Sequence, residues 1–359
     1  MANRLKKSIY RFITGANVVT ILLMLLVGYA GCLDPARHPN ISNLGLIFPL
    51  VVLVNLVFLV VWAIVRFRNV WIPILGFIVC IGPLCAYCPL NFGSKDTENA
   101  LKIVSYNVQM YSNWDKEDDI NPINRYLTDE KADIVCIQEI TEWEPRQKAV
   151  LKQLRPTYPY IEILTVGTGS VCMAVASRHP ILSTHIIPIP SRSNMSAAVR
   201  IKVGNDTVTV INNHLETVGF SVSEKEDFEQ IVKGTSRGDT ATTKSKLLFH
   251  KIAEASKIRS KQVKVIKDYI LNHQSEPIIC CGDLNADPLS YTRRTLGKLL
   301  TDCYIATATG PGWSFYANRI FVRIDNVFCS EHFQPVACTI DKRHKYSDHY
   351  PIVCYLKWK

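Results

Sequence analysis

The sequence predicts an α/β domain of two packed, mainly antiparallel β-sheets with helices outside, preceded by three transmembrane helices. Three observations carry that expectation. The first hundred residues contain three long uncharged runs. Beyond residue 100, short strand-like apolar runs alternate with segments of helical periodicity. Polar residues also stand at the edges of those runs, and antiparallel neighbours place the start of one strand beside the end of the next.

The uncharged runs are Phe12–Leu33, Ile41–Val65 and Asn69–Ser94. Each meets the ~20 residues that a helix needs to cross a bilayer, giving crossings at about 12–33, 41–65 and 69–92 within a membrane region 1–95. A single such run could be a buried core helix. Three in succession, with only Arg66 and Arg68 between the second and third, read as spans. Arg4, Lys6, Lys7 and Arg11 precede the first span. Basic residues stay on the cytoplasmic side, so three crossings put residues 96–359 outside the cytoplasm. The expected location is a cell (inner) membrane, multi-pass, with the folded domain extracytoplasmic and the lipid bilayer as partner of the N-terminal helices.

In the folded domain the strands are expected at Leu101–Asn107, Asp133–Glu139, Tyr160–Val166, Val171–Ser177, Ala197–Val203 and Thr207–His214. They resume at Pro277–Asp283, Ile324–Cys329, Val336–Ile340 and Pro351–Leu356. The turn at 204–206 joins two of them in a hairpin. Helical spacing marks Ile120–Leu127, Ala149–Leu154 and the series Ile258, Val263, Ile266, Ile270. Asp287-Pro288-Leu289-Ser290 leads into a helix near Tyr291–Leu300. Ten strands are too many for one flat sheet, so two stacked sheets are expected. Residues 217–249 are polar, with Gly219, Gly234 and Gly238, and read as a loop or helical excursion beside the expected site, since they follow His214 closely.

Charge and cysteine content exclude some classes. The formal net charge is +10, split evenly about residue 99. For a 260-residue domain that is no footprint of duplex binding. The segment Lys244–Lys267 holds eight basic residues and one acid, Glu254. It is either a solvated helix face or a contact for a polyanion. Of twelve cysteines, Cys136, Cys280, Cys281, Cys329 and Cys354 lie inside strand-like runs, where cysteine behaves as a small core residue. No pair in the folded domain has zinc spacing.

The run edges carry Asn107, Glu139, His214, Asp283 with Asn285, Asp325, and Asp348 with His349. Gathered at one rim, these provide what phosphate-ester hydrolysis needs. Glu139 is a hard oxygen ligand suited to Mg²⁺. Asp325 can orient the ring of His349. Asp283 and Asn285, two apart, project to the same side of an extended chain. Asn107 and His214 add donors for phosphoryl oxygens. Singly, each is more often a turn or solvated residue; the set is what counts.

Together the ordered pieces Ser105-Tyr106-Asn107, Ile137-Gln138-Glu139, Asn213-His214-Leu215, Gly282-Asp283-Leu284-Asn285, Arg323-Ile324-Asp325 and Ser347-Asp348-His349 resemble the endonuclease/exonuclease/phosphatase (DNase I-like) superfamily. Arg259-Ser260-Lys261-Gln262 is similar to the pattern on the family's preceding helix. The likeness extends to membrane-anchored bacterial members. It implies a four-layer sandwich over 96–359 and a Mg²⁺ (or Mn²⁺) site at Glu139 with Asn107 and Asp348. It implies further that Asp325 positions His349, that Asn285, His214 and Asn107 engage the phosphate, and that Asp283 handles a proton. Asn326 stands where many members carry Tyr. The expected function is a membrane-anchored phosphodiesterase or phosphomonoesterase acting on nucleic acid, a phospholipid headgroup or a soluble phosphoester. The alternative is a catalytically silent phosphate- or lipid-recognition module on the same fold. Nothing implies an obligate protein partner.

Overall fold

The structure is a computed structural model that describes residues 2–93, 96–112, 120–140, 144–166, 172–191, 193–232, 235, 238–317 and 320–359. Ser94, Val171 and Gly234 of the expected elements lie outside the described residues.

The N-terminal region is helical: α1 (Ala2–Tyr29), the one-turn α2 (Pro39–Ser42), α3 (Phe48–Val65), α4 (Trp71–Val79) and α5 (Ile81–Tyr87). Two helices, Arg4–Cys32 and Pro39–Val65 with their short extensions, are long and apolar enough to cross a membrane. The third expected span is a bent pair, Phe67–Val79 and Ile81–Tyr87, meeting at 64°. Pro83, two residues into α5, removes a backbone donor there. A buried polar chain ties the helices together. Trp62 Nε1 donates to Asn17 Oδ1 (3.2 Å), Asn17 Nδ2 to Asn55 Oδ1 (3.0 Å), and Asn55 Nδ2 to Pro73 O (2.9 Å).

Twelve strands follow in two six-stranded sheets. The first has the order β11-β12-β1-β2-β4-β3, with β1 (Leu101–Asn107), β2 (Ile134–Ile140), β3 (Tyr160–Leu164), β4 (Cys172–Ser177), β11 (Phe333–Ile340) and β12 (Ile352–Trp358). The second has the order β5-β6-β7-β8-β10-β9, with β5 (Ile181–Ile187), β6 (Met195–Val203), β7 (Asp206–His214), β8 (Ile278–Asp283), β9 (Thr301–Asp302) and β10 (Asp325–Cys329). The pairs β1–β2 and β7–β8 are parallel and the rest antiparallel. Helices α6 (Pro122–Glu130) and α7 (Glu144–Leu154) belong with the first sheet, and α8 (Val222–Val232), α9 (Gly238–Asn272) and α10 (Tyr291–Gly297) with the second, while α11 (Cys303–Thr307) packs between the sheets against β10 and β11. One apolar core lies between the sheets and one under each helical layer, which makes four layers.

Most strand edges agree with the sequence reading to within two residues. It misses β5, whose Ser183, Thr184 and His185 dilute the apolar pattern, and the two-residue β9. Within 217–249, α8 takes up Val222–Val232 and the first turns of the 35-residue α9 begin at Gly238. Cys280 and Cys281 face different cores as their alternation requires, and all twelve cysteines are free.

The sandwich is seated on the helical region. Arg294 Nη2 donates to Gly28 O (2.8 Å), and Lys264 and Ser260 of α9 bind the Asp34 carboxylate (2.5 and 2.7 Å). Ser256 donates to Asn43 (2.7 Å). The buried guanidinium of Arg323 donates to Ala86 O (2.5 Å) and lies over the Tyr304 ring at 4.3 Å. At Gly31 a Cβ would stand 1.8 Å from Leu289 O, so only glycine permits this approach. Gly31→Val should therefore push the two parts apart, lowering stability by about 1–3 kcal/mol as overpacking does. Thermal unfolding of the full chain in detergent checks this, and an unchanged midpoint would show that the contact bears no load.

Candidate active site

The rim is assembled by strand register. The parallel pair β1–β2 aligns Asn107 with Gln138, which sets Glu139 one residue beyond it. The parallel pair β7–β8 aligns His214 with Asp283, and antiparallel β8–β10 aligns Asp283 with Asp325. His349 precedes β12, the antiparallel neighbour of β1. Thus strand ends on β1, β2, β7 and β8 meet strand starts on β10 and β12. Beneath them, Gln138 joins the sheets by donating to Ser105 Oγ (3.1 Å) and Asn212 Oδ1 (2.7 Å).

Asp283 lies at the centre, buried. Its Oδ1 accepts from the Asn285 backbone N–H (2.8 Å) and its Oδ2 from Asn107 Nδ2 (3.1 Å). The same Oδ2 lies 3.8 Å from His214 Nε2 and 3.7 Å from His349 Nε2. Asn107 Nδ2 also donates to Glu139 Oε1 (2.9 Å), and His214 Nε2 is 3.3 Å from that oxygen. His349 Nδ1 bonds Asp325 Oδ2 (2.8 Å), and Asp325 is itself anchored by its backbone N–H donating to Ser314 Oγ (3.1 Å). Phe315 covers His349 edge-on, with centroids 5.1 Å apart.

Two backbone features show how closely this is built. Gly282 has φ +127°, and a Cβ there would meet Asn213 O at 2.0 Å. Glu139 and Asn285 have φ +55° and +48°, a region costly for non-glycine residues and concentrated at functional sites.

Electrostatics follow from burial. Burial first, then the Asp325 carboxylate, push the Asp283 carboxyl up from its ordinary range, against the pull of His349 and His214. His349 moves up as well. Burial opposes its charge, but the Asp325 and Asp283 carboxylates outweigh burial and hold the imidazolium.

All the expected residues except Asp348 are joined by these contacts. Asp348 follows directly along the chain from Ser347, which donates to Asn107 O (2.8 Å) and binds Asp348 Oδ1 (3.4 Å). The tightest metal-competent group is Asp283, Asp325 and His349, with one ligand atom of each within 4.8 Å of the others. This differs from the expected ligand set of Glu139, Asn107 and Asp348. Asn285 Nδ2 is engaged by Leu215 O (2.9 Å). Arg259 and Gln262 bind the backbone of Glu216, fixing the stretch after His214.

The donor set suits a cation. Glu139, Asp283 and Asp325 have no Lys or Arg ion pair among the described residues. The buried Asp325 Oδ1 and His214 Nε2 have no hydrogen-bond partner.

Two contributors escape the sequence reading. Asn194 Nδ2 contacts His214 Nδ1 at 3.2 Å and donates to Leu215 O (3.0 Å). It stands at a strand edge like the others, but starting that strand at Ala197 instead of Met195 hides it. Ser314 lies in an irregular segment and leaves no periodic signal.

The endonuclease/exonuclease/phosphatase family model matches residues 104–349, and a second model, described as a domain of unknown function (DUF8431), matches residues 10–87. Among curated proteins none matches the chain. Solved structures with a similar fold include D. rerio TDP2 humanized by 14 mutations (16% identity, TM-score 0.52, covering 72% of this chain and 99% of that one). Another is the endonuclease/exonuclease/phosphatase from Beutenbergia cavernae DSM 12333 (18%, 0.51, 72% of each chain). A third is D. rerio TDP2 complexed with single strand DNA product (16%, 0.50, 72% and 100%). With most of the chain matched, from β1 to His349, this protein belongs to the endonuclease/exonuclease/phosphatase family, and is a hydrolase acting on phosphoester bonds.

Proposed function

We propose that the chain is a membrane-anchored, divalent-metal-dependent phosphoesterase, using Mg²⁺ or Mn²⁺, with residues 96–359 as its hydrolase domain. The observation that carries this is the group of carboxylates, Glu139, Asp283 and Asp325, facing two imidazoles with no Lys or Arg paired to them among the described residues. The His349 imidazolium offsets one of these charges, and a divalent cation would offset the remainder. Glu139, with Asn107 and Asp348, would hold it. A bound divalent ion neutralises phosphoryl oxygen and stabilises the leaving oxyanion.

The remaining work falls to side chains. Asp325 accepts from His349 Nδ1–H, and the imidazolium that Asp325 and Asp283 hold keeps a second N–H, at Nε2, directed at the cleft. Asn194 donates its amide hydrogen to His214 Nδ1, which makes His214 Nε2 a donor too. Two N–H groups then flank Asp283 and oppose the charge that builds on the non-bridging oxygens. Asp283 is placed to accept the proton of an attacking water and to return one to the leaving oxygen. Asn285 and Asn107 complete the phosphate contacts. The products are a phosphate monoester and an alcohol, or inorganic phosphate from a monoester.

Three crossings fit the packing better than two and a re-entrant loop. Arg66 lies over the Tyr10 ring (5.4 Å), so the start of the third segment is at the N-terminal end of α1. Its other end gives Ala86 O to Arg323, beside the contacts made by Gly28, Gly31 and Asp34 at the other end of α1. A segment that begins at one end of the bundle and finishes at the opposite end crosses. With Arg4, Lys6, Lys7, Arg66 and Arg68 cytoplasmic, the hydrolase domain is extracytoplasmic.

Glu139→Gln removes one ligand charge and should cut Mg²⁺- or Mn²⁺-dependent hydrolysis of bis-p-nitrophenyl phosphate by more than about 100-fold without unfolding the chain. Equal rates for the variant and the parent would remove the metal role from Glu139. Asp325→Asn takes away the charge that holds the imidazolium, so the His349 pKa, followed by NMR in metal-free protein, should fall; an unmoved titration would refute the coupling. Alkaline phosphatase fused after Lys359 should be active and green fluorescent protein fused there dark. The reverse pattern would place the domain in the cytoplasm.

A further inference from the structure

We propose that the mouth of the cleft carries a second membrane contact: an aromatic and basic lip, on both sides of His349, that rests on a bilayer containing anionic phospholipid. The inference builds on the membrane placement above and names the surface to which the cleft is turned.

The first side of the lip is made by residues 313–317 and 320–322. Its base is catalytic, because Phe315 bridges to His349 and to Val322 and packs edge-on against the His349 ring. Its tip is not. Trp313 and Phe321 pair at 5.4 Å while remaining 37% and 51% exposed. The second side is the chain entering Asp348 and His349, where Lys342 and Lys345 are exposed. The Lys342 ammonium sits 5.2 Å from the Trp313 ring and so joins the two sides.

An exposed aromatic pair beside lysines has two usual partners, single-stranded nucleic acid and a lipid interface. Continuity decides for the interface here. Trp313 lies near the hydroxyl of Tyr87, the last residue of α5. Arg323, just past the segment, caps the same helix end through Ala86 O. After α5 come Leu90 and Phe92, 66% and 84% exposed, with Leu90 bridged to Thr309. The lip therefore starts where the third membrane segment ends, at the depth where tryptophan and tyrosine concentrate in membrane proteins. Lysines there gain from the negative potential of anionic headgroups. With Phe315 linking lip to His349, the cleft stands at headgroup height and favours phosphoesters held in a bilayer over dissolved ones.

The test uses the full chain in nanodiscs of equimolar phosphatidylcholine and phosphatidylglycerol. Lipids brominated near the glycerol end of their acyl chains quench tryptophan on contact. Trp313→Phe should remove a measurable part of that quenching, and Lys342→Glu with Lys345→Glu should lower the Trp313 component in these nanodiscs but not in pure phosphatidylcholine. Identical quenching with and without Trp313 would overturn the lip, as would quenching of Trp313 by a short oligonucleotide and not by lipid. Hydrolysis of bis-p-nitrophenyl phosphate by the same samples reports on the phosphoesterase reading separately. Loss of that activity with lipid quenching intact would sink the enzyme assignment and leave the lip standing.

Discussion

Asp283 occupies the point where two strand registers cross, and the site depends on it. β8 runs parallel to β7 on one side and antiparallel to β10 on the other, so His214 and Asp325 are both its cross-strand partners. Asp325 in turn holds His349. Three groups from distant parts of the chain are thus fixed by backbone pairing, and the fourth, His349, is joined to them through a side-chain contact. The close approach at Gly282, where even one methyl group would collide with Asn213 O, is a condition of that pairing. A one-residue slip in either register would turn Asp283 to the opposite face of the sheet.

Bringing these groups together buries like charges, and the structure answers with imidazoles and amides instead of Lys or Arg. Asp283 is held by Asn285 and Asn107 and lies between two histidines, yet its carboxyl is still pushed upward, because burial outweighs them. His349 gains the charge that its carboxylate neighbours lack a partner for. Two upward shifts in one cleft, one carrying a carboxyl toward its neutral form and one holding an imidazole charged, mark a site arranged for proton handling and electrostatic stabilisation.

Much of this was legible in the sequence because the site residues sit at strand ends. The apolar runs Leu101–Asn107 and Thr207–His214 announce both their strands and their functional termini. The pairing of those strands is not written in any run; the resemblance of the ordered motifs implied the four-layer sandwich but not which strands adjoin. β5 stayed hidden because a strand with one exposed face and His185 within it lacks a continuous apolar signal. Asn194 and Ser314 act through positions that only the folded chain defines. The break in the third apolar run, between Val79 and Ile81, left no mark in hydropathy, although Pro83 is close to it.

The helical region does more than anchor. Leu289, four residues past Asn285, is pressed against Gly31, and Arg323, two residues before Asp325, is held by the end of α5. Both strands β8 and β10 are therefore tied to the N-terminal helices, which set the position of the cleft relative to them. The claim under everything else is that one cation binds among these side chains. Anomalous diffraction from crystals of the full chain grown with Mn²⁺ tests it most directly. The account predicts a peak at about 2.0–2.2 Å from a Glu139 carboxylate oxygen, facing Asp283 and His349. A peak bound elsewhere, or none at that carboxylate at saturating Mn²⁺, would contradict it.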